Sequence, residues 1–213
     1  MFGLATVRPA DAEERTFIAE LQVGSEEAYN RLVAQYAPSV YRVAYRLLNN
    51  PADASDTAQE VFLRVFRGIG RFQNNCSLKT WIYRITVNAV SNQNRWWHRH
   101  RGNDVSLDSP ENSLVAASLR QSDRSWDPFE SVLSQQTQEL VQKALLRLPE
   151  SARALLILRD IEGLSYEEVG EILHVSLGTV KSRLARARLA LKTELEALLA
   201  PAPGPVPVWS HAD

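Results

Sequence analysis

Apolar residues recur along this chain at spacings of three and four, and strict apolar–polar alternation over a strand-length window is scarce. The pattern predicts helices nearly throughout. Between Ala10 and Gln22, the residues Phe17, Ile18 and Leu21 fall on one face, with Gly24 just past the end. Ser25 is placed to cap the next helix, and Glu26 and Glu27 occupy its first turn, where the positive end of the helix dipole favours carboxylates. Pro38 is expected to break or kink that helix, because it lacks an amide hydrogen and its ring meets the preceding turn. Val40, Val43, Ala44 and Leu47 then carry the apolar stripe to a turn at Asn49-Asn50-Pro51. A third helix is predicted over about 52–69, with Ala58, Phe62, Val65 and Ile69 as its inner seam. A loop over 71–77 leads to a fourth helix over about 78–99.

Residues 102–131 interrupt this periodicity with Ser, Asn, Asp and Pro, including Asp108-Ser109-Pro110 and Asp127-Pro128. The run exceeds the ~12–15 residues usual for a structureless loop within one domain, so it reads as a linker between domains. Helices follow over about 132–148, stopped by Pro149, and over about 151–161, closed by Gly163. Ser165-Tyr166-Glu167-Glu168 then has the capping-box spacing, in which serine and glutamate satisfy each other's free amides. The final helix is predicted over about 177–199, before a polyproline-prone tail containing Pro201, Pro203, Pro205 and Pro207. The expected fold class is all-α, with two small helical domains at 10–101 and 132–199. A flexible linker at 102–131 joins them, a disordered tail covers 200–213, and the second domain contains a helix-turn-helix.

Composition narrows the function classes. With 45% hydrophobic and 23% charged residues in 213, the chain has ordinary globular usage rather than that of a disordered or collagen-like one. Its longest apolar stretch, Ala154-Leu155-Leu156-Ile157-Leu158, is far short of the ~20 residues of a bilayer span. Acidic residues from Asp11 onward argue against a secretory signal. Cys76 is the only cysteine, which permits no internal disulfide and no cysteine-based zinc site, so a reducing cytoplasm is the expected compartment. The net charge of −1 conceals an uneven distribution. Residues 1–101 carry 13 basic and 9 acidic side chains, residues 102–134 carry 2 and 6, and residues 135–199 carry 9 of each.

The strongest chemical signal lies in residues 165–192: a short capped helix, a turn around His174-Val175-Ser176, and a longer helix. In that longer helix Val180, Leu184, Ala187 and Leu191 form one seam. The remaining faces carry Lys181, Arg183, Arg186, Arg188 and Lys192, with no acid before Glu194. Ser176 is placed to cap it, directing free amides and the positive dipole end toward a phosphate. Thr179, Lys181, Ser182, Arg183 and Arg186 are then positioned for a major groove, where arginine and lysine suit guanine acceptors. The bland alternative is a solvated basic face on an ordinary bundle helix.

A second cluster lies in the first domain. Trp81, Tyr83, Trp96 and Trp97 accompany Lys79, Arg84, Arg95, Arg99 and Arg101, with Asn88, Asn92 and Asn94 interspersed. Aromatic faces stack unpaired bases, arginines track the backbone, and amides bond the edges of bases that have left the stack. The mixture suits single-stranded or melting DNA. Against this, Trp81, Ile85 and Ala89 share one helical face, which favours a core role for Trp81. His98 and His100 read as surface residues rather than metal ligands, with no acid or cysteine nearby.

Taken together these residues resemble the extracytoplasmic-function (ECF) sigma factors of bacterial RNA polymerase, most closely the sigma-E-like group, over about residues 10–195. Asp53-Ala54-Ser55-Asp56-Thr57-Ala58-Gln59-Glu60-Val61-Phe62 looks like that family's polymerase-binding helix, and Thr80-Trp81-Ile82-Tyr83-Arg84-Ile85-Thr86-Val87-Asn88 like its promoter-melting segment. Leu148-Pro149-Glu150, the run Gly163–Val169 and the run Gly178–Leu184 match its upstream-element reader. The resemblance implies that Asp53, Asp56, Gln59 and Glu60 face the clamp of the polymerase's largest subunit. It implies that Phe72, Lys79, Trp81 and Tyr83, in or after the loop 72–79 and with Asn88 and Asn92 behind it, form the minus-ten pocket for a flipped base. Ser176, Thr179, Lys181, Ser182, Arg183 and Arg186 would read the minus-thirty-five element, while Arg84, Arg95, Arg99, Arg101 and Arg188 track the backbone. The acidic linker would thread toward the polymerase active-site channel, and an anti-sigma factor would hold the protein inactive, in some cases at the inner membrane. One departure is Asn74-Asn75-Cys76-Ser77, where many relatives carry a more glycine-rich turn.

Core RNA polymerase and promoter DNA are thus the expected partners, with no cofactor, no metal and no catalytic residue. Two rivals compete with that reading. A polymerase-independent helix-turn-helix regulator explains 165–192 but leaves the aromatic cluster and the 53–62 helix without a task. A nucleic-acid enzyme would need a metal-holding cluster, and Asp53 with Asp56 lacks an evident third ligand.

Overall fold

The computed structural model describes residues 12–100 and 128–200, with the side chains of 93–100 and 128–135 left out of the description. Helix α1, Ala12–Gln22, stops where Gly24 takes φ +82°, a left-handed conformation that suits a residue without Cβ. Ser25 then caps α2, Glu26–Leu48, its hydroxyl oxygen accepting the Ala28 amide. Of the expected break or kink at Pro38, the break does not occur: α2 runs through it without ending. An interior proline costs about 3 kcal/mol. Against that, α2 buries Leu32, Val40, Val43 and Leu47, each contributing on the order of 1.5–3 kcal/mol, and the packed face decides the outcome.

Asn49, at φ +57°, closes α2. Asn50 caps α3, Pro51–Gly68, by accepting the Ala52 and Asp53 amides, with Pro51 at the first helical position, where no amide hydrogen is needed. A 3-10 turn, Ile69–Arg71, leads through an irregular loop to α4, Leu78–His100. Helix α2 packs on both α3 and α4, around a core that includes Val61, Val65, Leu78, Ile82 and Val90.

The second bundle opens with α5, Pro128–Arg147, four residues earlier than its expected start at Val132. Proline at the first position of a helix is favourable, so Asp127-Pro128 marks a helix entry as readily as a linker. Helix α6, Glu150–Leu156, passes into a π-helical turn, Ile157–Ile161, and Gly163 at φ +71° reverses the chain. Helices α7, Tyr166–Leu173, and α8, Leu177–Leu199, complete it. Leu145, Leu155, Ile157, Leu164, Val169, Ile172, Val180 and Leu184 are all buried here. The expected linker, apart from its last residues in α5, and the proline-rich tail lie outside the described residues. No described helix is long and apolar enough to cross a membrane.

The two bundles also pack on each other, α4 against α7, and α2 against α5, α6 and the π-helical turn. Arg153 fastens two helix ends at once: it donates to the carbonyls of Leu145, Leu146 and Leu148 at 3.0–3.1 Å and to that of Leu47, near the end of α2, at 2.7 Å. Carbonyls in a last helical turn lack partners of their own, so one guanidinium satisfies both ends.

Candidate nucleic-acid interface

Ser165 and Glu168 make the capping box the sequence predicts. The serine oxygen accepts the Glu168 amide at 3.1 Å, and a Glu168 carboxylate oxygen accepts the Ser165 amide at 2.8 Å. His174 closes α7 at φ +55°, and the Val175 amide returns to the Gly170 carbonyl at 3.0 Å. The turn is tight: a Cβ on Gly170 would lie 2.9 Å from the Val175 carbonyl oxygen. Ser176 caps α8 by accepting the Thr179 amide at 3.3 Å. With Val180, Leu184 and Ala187 buried, Lys181, Ser182, Arg183 and Arg186 stand exposed on α8, and Thr179 is half-buried against the Ser176 hydroxyl. Arg188 differs from the rest. Its guanidinium grips Asp160 through two hydrogen bonds, one of 2.9 Å from Nε, and this bonding pushes its pKa above the usual value. The structure thus gives Arg188 an internal partner in Asp160. Leu189, 66% exposed on the basic face, was not singled out by the sequence reading.

The loop between the 3-10 turn and α4 walls a cleft of about 340 Å³ lined by Arg67, Arg71, Phe72, Gln73, Asn75, Cys76, Trp81 and Arg84, at the small end of ligand-sized sites. The Phe72 and Trp81 rings lie 4.9 Å apart, inclined at 33°. Gly68 admits Trp81 so closely that an added Cβ would lie 3.2 Å from Cζ2. Trp81 is therefore both core and wall, joining the two readings the sequence left open. Cys76 is buried, and burial pushes its thiol up, while Arg84 Nη2 points at the sulfur from 3.9 Å. Asn88 and Asn92 do not line this cleft. They lie exposed farther along α4. Arg67 and Arg71 were missed, although two arginines flanking Gly68 and Gly70 were a legible signal.

Several α4 residues expected to meet DNA meet the second bundle instead. The Tyr83 hydroxyl donates to Glu162 Oε2 at 2.7 Å, the side chain is 1% exposed, and burial pushes its pKa up. Lys79 Nζ donates to the Glu162 carbonyl at 3.2 Å, and Arg84 faces Glu171 at 3.5 Å. Thr80 donates its hydroxyl to Glu168 at 3.0 Å. In this arrangement Tyr83 presents no free ring face to a base, because α4 packs it between the bundles. The side chains of Arg95 and Arg99, with those of Trp96 and Trp97, and all of Arg101 lie outside the described residues.

On α3, Asp56 and Gln59 are exposed, and Glu60 pairs with Arg64 at 2.7 Å. Asp53 is half-buried, and burial, then the charge of Asp56, raises its carboxyl pKa. The same outward face carries Leu63, 48% exposed, and Phe66, 61% exposed, whose ring leans on Tyr29 at 4.9 Å. Exposed apolar side chains, one of them aromatic, with polar groups around them have the make-up of an interface core and its rim. The spacing 56, 59, 63, 66 was visible in the sequence, but an exposed and a buried stripe look alike until the helix is packed.

Comparison with known proteins fits this layout. The model of Sigma-70 region 2 matches residues 32–100, and that of Sigma-70, region 4, matches residues 138–191. The ECF RNA polymerase sigma-E factor of Haemophilus influenzae is 32% identical over 187 residues, covering 87% of this chain and 97% of its own. The chain belongs to the ECF sigma factors. This sigma factor is also 33% identical to the ECF sigma factor SigW of Bacillus subtilis, over 85% of its length and 96% of the relative's. Its fold matches that of CnrH, solved in complex with the cytosolic domain of CnrY, with a TM-score of 0.61 at 20% identity over 86% of this chain and 97% of that one. The sigma factor RpoE of Bartonella quintana, solved with the anti-sigma factor NepR, gives 0.59 at 23% identity over 79% and 96%. As an ECF sigma factor the protein directs core polymerase to specific promoters and assists their melting. Sigma factors are initiation factors rather than enzymes. A polymerase-independent regulator does not account for the region 2 match.

Proposed function

We propose that the cleft beside Trp81 receives the flipped non-template base of the minus-ten element, and the observation that carries this is its lining. Two inclined aromatic rings, three arginines and the amides of Gln73 and Asn75 surround a space of ligand size. Rings stack a base, amides bond its edge, and guanidinium groups neutralise the flanking phosphates. Phe72, Lys79 and Trp81 serve at or near the pocket, while Tyr83 stiffens α4 beneath it. Asn88, Asn92 and the arginines 84, 95, 99 and 101 follow the displaced strand. Opening a base pair costs a few kcal/mol, which capture and stacking offset once polymerase holds the duplex.

In the second domain, Ser176, Thr179, Lys181, Ser182, Arg183 and Arg186 read the minus-thirty-five element, with Arg188 at the rim. Asp53, Asp56, Gln59 and Glu60, extended by Leu63 and Phe66, dock on the clamp of the polymerase's largest subunit. The working domains are 10–101 and, with the start of α5 taken into account, 128–199, separated by a linker and followed by the tail 200–213. The protein acts in the cytoplasm, and the complex of RpoE with the anti-sigma factor NepR supports an anti-sigma partner for this chain as well.

Run-off transcription with core polymerase on a pool of promoter fragments from its own genome tests the reading. Arg71→Ala and Trp81→Ala should abolish initiation on intact duplex yet retain much of it on a template already mismatched at the minus-ten element. Equal loss on both templates would refute the pocket. Tight binding to free duplex, with no polymerase-dependent transcript, would refute the sigma mechanism.

A further inference from the structure

Pro201, Pro203, Pro205 and Pro207 recur at every second position just past α8, and they take no part in the contacts proposed above. A polyproline II helix turns once every three residues and leaves its own carbonyls unbonded. In that conformation Pro203, Val206 and Trp209 share one edge, Ala202, Pro205 and Val208 share a second, and Pro201, Gly204 and Pro207 fall on the third. The first two edges are wholly apolar, and one of them ends in tryptophan. Segments of this kind bind grooves lined by aromatic rings, at little cost in ordering because the helix is preformed. The structure holds such a groove, a cleft of about 970 Å³ between α2 and α5. Pro38, Tyr41 and Tyr45 make the α2 wall, the two tyrosine rings lying within 6° of parallel with centroids 6.2 Å apart. Val141, Leu145 and Leu146 make the α5 wall. Gln142 bridges the helices, donating to the Arg46 carbonyl at 3.4 Å and to Asn49 Oδ1 at 3.3 Å.

We infer that residues 202–209 of this chain occupy the groove as a polyproline II segment, with Pro203, Val206 and Trp209 facing the tyrosine wall. Charge is compatible with this occupant. Arg42 and Lys143, both exposed, also line the groove, and the tail over 201–213 brings no lysine or arginine and one acid, Asp213. The guanidinium, ammonium and tyrosine hydroxyl groups supply donors for the unbonded carbonyls of the segment. Distance is compatible as well. Arg147, next to Leu146, meets Glu194 at 3.3 Å, and Ala200 follows Glu194 by about 9 Å of helix. Even when every side-chain and backbone length adds in one direction, Ala200 lies within roughly 28 Å of Leu146. The chain from Ala200 to Trp209 spans about 28 Å at ~3.1 Å per residue. So short a tether holds the tail at a millimolar effective concentration, and an intrinsic Kd near 0.1 mM suffices for about nine-tenths occupancy.

The test uses the full chain. Trp209→p-benzoylphenylalanine puts a photoreactive ring on the tail, and peptide mass spectrometry after irradiation at micromolar protein locates the adduct. It should fall within residues 38–49 or 137–146 of the same molecule. Adducts elsewhere in the chain overturn the docking. Adducts that join two molecules, recognised by their doubled mass, assign the groove to a second copy and overturn it too. Hydrogen exchange then reads the edges, using substitutions that all fall beyond α8 and so leave the packing of both bundles intact. Pro203→Ser/Val206→Ser/Trp209→Ser should speed exchange over 38–49 and 137–146 by up to about tenfold, the limit set by nine-tenths occupancy. Pro201→Ala/Pro207→Ala, on the third edge, should exchange like wild type. Wild-type exchange in the first variant overturns the docking, and equal acceleration in both variants overturns the polyproline II register.

Discussion

Gly170 provides a test in which helix propensity and packing predict opposite signs. Alanine is worth about 1 kcal/mol more than glycine inside a helix, so propensity alone predicts that Gly170→Ala stabilises α7. The structure predicts the reverse, because the new Cβ would stand 2.9 Å from the carbonyl oxygen of Val175. That oxygen belongs to the backbone, and the Val175 amide is tied to the Gly170 carbonyl at 3.0 Å, so the turn cannot yield without losing a bond that closes the helix. Overpacking of this kind costs about 1–3 kcal/mol, which leaves a net loss of up to about 2 kcal/mol after the propensity gain. In a chain of this size the upper end of that loss corresponds to a fall in Tm of roughly 4–8 °C. Gly178, near the start of α8, is the internal control: a Cβ there meets nothing within 4 Å, so Gly178→Ala should gain up to about 1 kcal/mol. Calorimetry on both variants, with circular dichroism to confirm helix content, reads the result. A Gly170→Ala protein that melts as high as Gly178→Ala would refute the packing argument and with it the stated geometry of the turn.

Lys181→Ala should weaken promoter binding and lower the slope of log affinity against log salt by about 0.9, the signature of one lost phosphate contact. Arg188→Ala should leave that slope nearly unchanged, because Asp160 already holds the guanidinium; equal slopes for the two variants would contradict the assignment. Phe66→Ala, on an exposed ring, should leave Tm within a degree or two but cost about 2 kcal/mol of core-polymerase affinity if it is an interface anchor, measurable by titration with labelled core enzyme. Glu168 offers a pH test. Burial pushes its carboxyl up, but the bonds from Ser165 and Thr80 and the charge of Lys79 outweigh this and leave it below its ordinary value. A lowered folded value means stability that is full above the ordinary glutamate value of about 4.3 and is lost as pH falls through the folded one. Glu168→Gln retains a capping side chain. It should therefore be less stable than wild type near neutrality and converge with it in acid, whereas a gap that persists in denaturant melts at low pH would refute the sign.

Local signals in the sequence settled much of this protein. Ser25, Ser165 and Ser176 act over three residues or fewer, so their caps and the helices they begin were readable before any packing was known, whereas Asn50, which reads as a turn residue, is shown as a cap only by the structure. The helix-turn-helix was legible for the same reason, and five motifs in fixed order carried the family. Tertiary structure decided the rest. Pro38 sits inside a helix because buried leucine and valine on either side outweigh one lost bond, a balance that depends on what α2 packs against. Pro128 opens a helix rather than extending the linker, since proline suits both settings. Lys79, Tyr83 and Arg84 looked like DNA ligands by type and spacing. Which anion they meet depends on where Glu162, Glu168 and Glu171 arrive, some 80 to 90 residues later in the chain. Arg67 and Arg71 join the cleft through a turn that no periodicity describes. Residue types and local spacing thus named the chemistry, while long-range packing decided which groups face one another and which are free to meet DNA.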